Sequence, residues 1–262
     1  MRRLRDVGEH AWLARLIRRL GGVPPDRRVL VGPGDDAAAL RGSVRPLLLT
    51  TDALCEGVHF RSRWTTPGAL GRRAFWVNAS DVAAMGGVPT FALLALVAPP
   101  ATPVRSLDAL VAGFAGAARR VGARLVGGNL VAGPRLALTV TLLGEVRGRL
   151  VTRAGARPGD GVYVTGTLGG AGAAVRRLTA GRGGRWPQPP NRLAAGRVLA
   201  GVAHAMIDVS DGLVQDLGHV CRASGVGAEV DLASLPLATS CRHALGPRAA
   251  AVAATAGEDY EL

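Results

Sequence analysis

The chain contains no lysine: all 32 of its basic residues are arginine. That absence removes the Walker A lysine, the strand lysine of protein kinases and any Schiff-base chemistry with pyridoxal phosphate. A phosphate site here must be built from backbone N–H groups, arginine and metal. Aromatic residues are few, at 4%, so the cores must be assembled from Ala, Val and Leu, and stacking platforms for single-stranded nucleic acid are lacking. The three cysteines, Cys55, Cys221 and Cys241, form no CxxC pair, so neither a zinc site nor a disulfide framework is indicated, and a reducing cytoplasm fits. No apolar run spans a bilayer, because Pro89, Pro99, Pro100 and Pro103 interrupt the charge-free stretch that follows Asp81. The N-terminal arginines surround Trp12, Leu13, Leu16, Ile17 and Leu20 in the pattern of an amphipathic helix without a signal-peptide core. We therefore expect no membrane partner.

The formal charge of +13 would ordinarily suggest nucleic acid. The arginines are scattered rather than striped, however, and their exclusive use alongside abundant Ala, Gly and Pro points to GC-rich coding. We expect no nucleic-acid partner. The acidic residues carry more information. There are 19, and eleven of them fall in five short segments: Asp35 and Asp36; Asp52 and Glu56; Asp81; Asp208, Asp211 and Asp216; Glu258, Asp259 and Glu261. Such grouping suits a cluster of hard cations beside phosphates.

The first segment, VGPGDDAAAL from Val31 to Leu40, sets two carboxylates after a Gly-Pro-Gly turn, where they read either as an acidic turn or as Mg²⁺ ligands. Leu47 to Thr51 predicts a strand that delivers Asp52 to its end. Thr66-Pro67 starts a helix running through Met85, whose apolar stripe of Leu70, Ala74, Val77 and Met85 also contains Asp81. A carboxylate on that face needs a cation or a strong hydrogen-bond partner, including nearby backbone. Phe91 to Val97 predicts a strand, Leu107, Leu110, Phe114, Ala118 and Val121 a helix, and Leu136 to Val146 a further strand.

The composition break RAGARPGD, Arg153 to Asp160, divides the chain into expected domains of 1–148 and 149–262. Beyond it Val162 to Thr165 predicts a strand. The glycine-rich GTLGGAG from Gly166 could then cradle phosphate or serve packing alone. Asn191 to His204 predicts a helix and Ala205 to Val209 a buried strand. Ser210 is the expected N-cap of a helix carrying Leu213, Leu217 and Val220. Asp259 to Leu262 reads as a strand just beginning, from which a missing C-terminal piece is expected.

GDDAAAL, TTDALCEGVHF, VNASDVAAMGGVP, RAGARPGDGVYVTGTLG, IDVSDGLVQDLGH and AGEDYEL, in this order, resemble the thiamine-monophosphate kinase family of the aminoimidazole ribonucleotide synthetase superfamily. The resemblance implies a two-domain α+β fold (mixed α/β). Its N-terminal domain would form a dimeric β-barrel-like interface, and its C-terminal α+β domain would be truncated here. ATP would be held between the domains without a P-loop, by a cytoplasmic homodimer. It also implies Mg-assisted transfer of the ATP γ-phosphoryl group to thiamine monophosphate. By motif, Asp36, Thr51, Asp52, Asp81, Asp208 and Asp211 would hold Mg²⁺, with Asp36, Asp52, Asp81 and Asp211 catalytic. Gly128, Asn129, Arg153 and Ser210 would bind ATP, and His59 and Glu258 the substrate. His59 also reads as a structural histidine beside Phe60. Where the family carries GGDT this chain has Gly127-Gly128-Asn129-Leu130, which removes a charge and a hydroxyl. The alternative reading is a degenerate or truncated paralogue that binds nucleotide without turnover.

Overall fold

The computed structural model describes residues 3–19, 26–31 and 38–262. They divide into two units, Met1–Asn78 with Pro89–Glu145, and Ala79–Val88 with Val146–Leu262. In chain order the elements are α1 (Leu4–Val7), α2 (Glu9–Arg19), β1 (Val29–Val31), β2 (Ala39–Leu40), β3 (Leu47–Cys55), α3 (Pro67–Ala84), β4 (Gly87–Ala98), α4 (Val104–Arg120), β5 (Arg124–Ala132) and β6 (Ala137–Val146). The helices α5 (Gly170–Thr179), α6 (Leu193–Leu199), α7 (Leu213–Ser224), α8 (Thr239–Leu245) and α9 (Ala249–Thr255) follow.

The first unit is organised on a four-stranded sheet in the order β3-β6-β4-β5. β3 and β6 are antiparallel in unbroken register from Leu47↔Glu145 to Cys55↔Ala137. β4 and β5 are parallel, with one irregularity between Ala92 and Leu93. Strand alternation splits β3 into a covered side, carrying Leu48 and Leu54, and a bare side, carrying Leu47 and Leu49. α4 buries the expected stripe of Leu107, Leu110, Phe114 and Ala118. It meets α3 so closely that a side chain at Gly71 would collide with Leu110 O, and one at Gly113 with Gly68 O. Phe75 packs edge-on to Phe114 there, with centroids 5.6 Å apart. α2 is tied to α4 by Asp108, which accepts from Trp12 Nε1 at 2.9 Å and pairs with Arg15 and Arg19.

The expected β-barrel-like dimer interface is not found. Among the described residues no sheet closes on itself; β3 and β5 remain the two edges of an open sheet, and a barrel requires its first and last strands to pair. The two-domain α+β architecture itself stands.

The second unit departs further from expectation. Val162–Thr165 and Ala205–Val209 form no strand and no regular ladder. They meet the end of the chain through separate bonds: Thr165 N donates to Leu262 O at 2.9 Å, Val209 N to Glu261 O at 2.7 Å, and Tyr260 N to Val209 O at 2.8 Å. The reason lies in residues 258–260, where Glu258 and Tyr260 adopt φ of 76° and 52°. Such backbone breaks the pleat that a ladder needs. The predicted helix from Asn191 to His204 is confined to Leu193–Leu199. The core is assembled from small side chains, among them Leu168, Ala173, Val209, Leu213, Cys241 and Ala253, as the scarcity of aromatics requires. All three cysteines are free. Among the described residues no helix is long and apolar enough to cross a membrane.

Candidate active site

Asp35 and Asp36 lie outside the described residues. In the first unit, Thr51 and Asp52 are consecutive on β3 and so face opposite sides of the sheet. Thr51 is on the exposed side, and its hydroxyl donates to Val140 O at 2.8 Å. Asp52 is half-buried on the covered side with Leu48 and Leu54. If both residues hold one cation, Thr51 must offer an oxygen other than a side chain pointing with Asp52. His59 is exposed, and its Nδ1 accepts Cys55 N at 3.0 Å, which holds the ring against the end of β3. Phe60 beside it is fully buried, so the packing role belongs to the phenylalanine.

Gly128 sits opposite Leu94 on β4, where any side chain would lie 2.1 Å from Leu94 O. That position therefore requires glycine for strand packing as well as for any approach of phosphate. Asn129 is exposed, and its Oδ1 accepts the N–H of Leu130 at 2.8 Å. Leu130 is buried, which explains how an apolar residue is accommodated there.

The second unit brings several carboxylates together. Asp208 is 4% exposed, and its Oδ2 accepts the hydroxyl of Ser80 at 2.7 Å. Burial raises the Asp208 carboxyl to about 7, the Ser80 hydrogen bond works against that, and the charges of Asp81 and Asp216 raise it further. Asp81 itself is half-buried on α3. One turn earlier on the same helix face, Asn78 donates through Nδ2 to Ala74 O while its buried Oδ1 has no donor. Such an orphaned acceptor calls for an ion or a water.

Ser210 is not the N-cap of α7. Gly212 takes that position at φ 116°, where a side chain would meet Thr255 O at 2.8 Å. The amides of Asp211 and Gly212 are instead bonded to Asp216 Oδ2, both at 3.0 Å. The capping carboxylate thus comes from inside the helix rather than from before it. Burial raises the Asp216 carboxyl above its ordinary value. Asp211 is exposed and accepts from Gln215. Asp211, Asp216 and His219 present ligand atoms all within 4.8 Å of one another.

The glycine-rich loop before α5 is already occupied. Asp259 accepts Gly169 N at 2.6 Å and Ala171 N at 3.0 Å, so the chain's own carboxylate fills the anion site at this helix N-terminus. Glu261 is likewise engaged, by Arg192 and by the Thr165 hydroxyl. Arg153 is exposed, and Ser210 contributes its carbonyl to Glu258 N at 2.8 Å. Glu258, half-buried, accepts the Tyr260 hydroxyl at 3.2 Å.

The carboxylates of Asp211 and Asp216, close to one another and to His219, are donors suited to a hard divalent cation, and a cation near Asp208 would offset the burial and the neighbouring charges of Asp81 and Asp216 that raise its carboxyl. Ser80, Asn78 and His219 were not among the sequence-derived site residues, and Asp216 was grouped with Asp208 and Asp211 without a role of its own. The signal for Asp216 and His219 was present in IDVSDGLVQDLGH, where both fall in the first two turns after the glycine. Ser80 could be found only through its partner Asp208, 128 residues away.

Residues 34–146 match the family model of AIR synthase related protein, N-terminal domain, and residues 157–258 that of the C-terminal domain. The thiamine-monophosphate kinase of Mycobacterium tuberculosis is 38% identical, over 99% of this chain and 80% of the relative. Among solved structures, the thiamine-monophosphate kinase of Stenotrophomonas maltophilia K279a superposes with a TM-score of 0.84 at 36% identity, covering 95% of this chain and 82% of the other. AaThiL complexed with AMPPCP and TMP gives a TM-score of 0.78 at 34% identity, covering 100% and 85%.

Proposed function

This chain belongs to the thiamine-monophosphate kinase family, and on that premise we propose that it transfers the γ-phosphoryl group of ATP to thiamine monophosphate, giving thiamine diphosphate. ATP-dependent phosphoryl transfer is the chemistry of the family; the acceptor and the metal are our assignment. The observation that carries the reading is the environment of Asp208, a buried carboxylate raised to about 7 beside Asp81 and Asp216. Burial and the charges of Asp81 and Asp216 disfavour the ionised form of Asp208, a penalty that a bound cation would remove, and phosphoryl transfer between two anions calls for the same charge neutralisation.

We assign Asp36, Thr51, Asp52, Asp81, Asp208 and Asp211 to Mg²⁺. Bound there, the metal supplies charge neutralisation at the phosphate oxygens. Gly128, Asn129, Arg153 and Ser210 orient ATP, Arg153 by charge and Gly128 by leaving the backbone accessible. Glu258 and His59 hold thiamine monophosphate so that a phosphate oxygen attacks in line. The P–O bond to the ADP leaving group breaks as the new one forms, with no covalent enzyme intermediate. We take the functional division of the chain at 148/149, a cytoplasmic location for a chain with three free cysteines, and a homodimer. Exposed apolar side chains on the first unit's sheet support the homodimer, with Leu49 72% exposed beside Leu47 on β3, and Leu93 on β4 and Val131 on β5 also exposed.

The test is Mg-ATP with thiamine monophosphate and chromatography of the products. Absence of thiamine diphosphate from pure protein at high enzyme concentration would sink the reading. One observation favours a second reading, nucleotide binding without turnover: Asn129 spends its carbonyl oxygen on Leu130 N and has no charge to offer metal. Stabilisation by Mg-ATP without product would establish it.

A further inference from the structure

Two non-glycine residues with positive φ, Glu258 and Tyr260, flank Asp259 in the AGEDYEL segment. Left-handed backbone is disfavoured for such side chains, and it persists only where surrounding bonds over-determine it. Here they do. Glu258 N donates to Ser210 O and Tyr260 N to Val209 O, both at 2.8 Å. Between them Asp259 is locked onto the Gly169 and Ala171 amides. A side chain at Gly257 would lie 2.3 Å from Ser210 O, so the turn is pressed against that strand. The geometry brings two side chains of like direction together: the Tyr260 hydroxyl donates to Glu258 Oε1 at 3.2 Å, while the tyrosine ring is 5% exposed.

We propose that Tyr260 is a positioning residue, whose buried ring and hydroxyl aim the Glu258 carboxylate at the thiamine moiety of the acceptor. The proposal rests on the function proposed above, with Glu258 as a substrate contact. A hydrogen bond donated to a carboxylate favours its charged form and restricts its rotamers. The charged form is what a cationic thiazolium and an aminopyrimidine N–H would select. The left-handed backbone at Glu258 serves this arrangement and not stability, because glycine would adopt the same φ without strain.

The experiment compares the full chain with Tyr260→Phe and Glu258→Gly. Binding of thiamine monophosphate is measured by calorimetry without ATP, alongside KM for each substrate, kcat and the melting temperature. Tyr260→Phe, which keeps the ring, is expected to weaken thiamine monophosphate binding and raise its KM about three- to tenfold, the effect of losing one hydrogen bond of ordinary strength. KM for ATP should stay unchanged, and the melting temperature should fall by no more than the few degrees that one hydrogen bond is worth. Glu258→Gly should melt no lower than the parent while losing acceptor binding. Equal acceptor binding by parent and Tyr260→Phe would overturn the positioning role, as would a Glu258→Gly variant that melts well below the parent. A parent that binds no thiamine monophosphate would overturn the proposed substrate, and this role with it.

Discussion

In the first unit β3 and β6 pair without interruption along the whole of β3, whereas in the second the irregular segments around Val209 and Tyr260 meet through separate bonds beside positive-φ residues. The regular ladder satisfies the backbone with the chain's own repeat and leaves side chains to alternate between a covered and a bare face. The irregular segment frees backbone and side-chain oxygens to point in directions a ladder forbids. Buried carboxylates are more numerous in the second unit: Asp208, Asp259 and Glu261 lie in these irregular segments and Asp216 on α7, against Glu145 of β6 among the described residues of the first. Regular pairing gives a surface, and irregular pairing gives a site.

Changes on either side test that contrast. The largest effect is expected from Asp208→Asn, which keeps the shape and removes the buried charge; kcat should fall about a thousandfold, as for loss of one preorganised electrostatic group, measured by steady-state product formation. Leu49→Asp places a charge on the bare sheet face and should convert a homodimer to monomer in sedimentation velocity, with the monomer's circular dichroism unchanged.

The metal-free protein should show a pH-dependent stability that the site imposes. Asp208 is raised from the ordinary carboxylate value near 4 to about 7, so between those values the folded chain keeps a proton that the unfolded chain has released. Its contribution to stability is therefore full below about 4, declines as pH rises, and is lost above about 7. Urea midpoints measured across that range should fall with pH, and Asp208→Asn should flatten the slope. Asn129→Asp places a charge on β5 beside Leu130 and should lower the Mg²⁺ concentration for half-maximal activity severalfold, about the worth of one added carboxylate ligand. Smallest of all, Thr51→Val loses only the bond to Val140 O, and about 1 kcal/mol of stability, read from the urea midpoint. A large activity loss from that variant would mean the hydroxyl itself reaches metal or substrate.

Where side chains repeat with a regular period, the sequence could be read directly. α4 presents Leu107, Leu110 and Phe114 inward as their spacing required, and α3 begins at Pro67 after Thr66, whose hydroxyl accepts Ala69 N at 3.3 Å. The same reasoning failed at Ser210, because the capping oxygen came from Asp216 one turn into α7. It also failed at GTLGGAG, where the anion was Asp259 from 90 residues away. A motif identifies which backbone groups need a partner; it does not say which side chain arrives.

By itself, the sequence determined the chemistry available to this protein. With no lysine and few acids gathered in five segments, any phosphate or metal it binds has to be held by carboxylates, arginine and amides. The order of motifs was enough to identify the family. Tertiary structure alone decided which carboxylates share an environment. The pairing of Ser80 with Asp208, the raised proton affinity of Asp208, and the strained turn that sets Glu258 beside Tyr260 all follow from burial and from contacts between segments distant in the chain. Electrostatic coupling depends on distance and desolvation, and neither is encoded by local spacing.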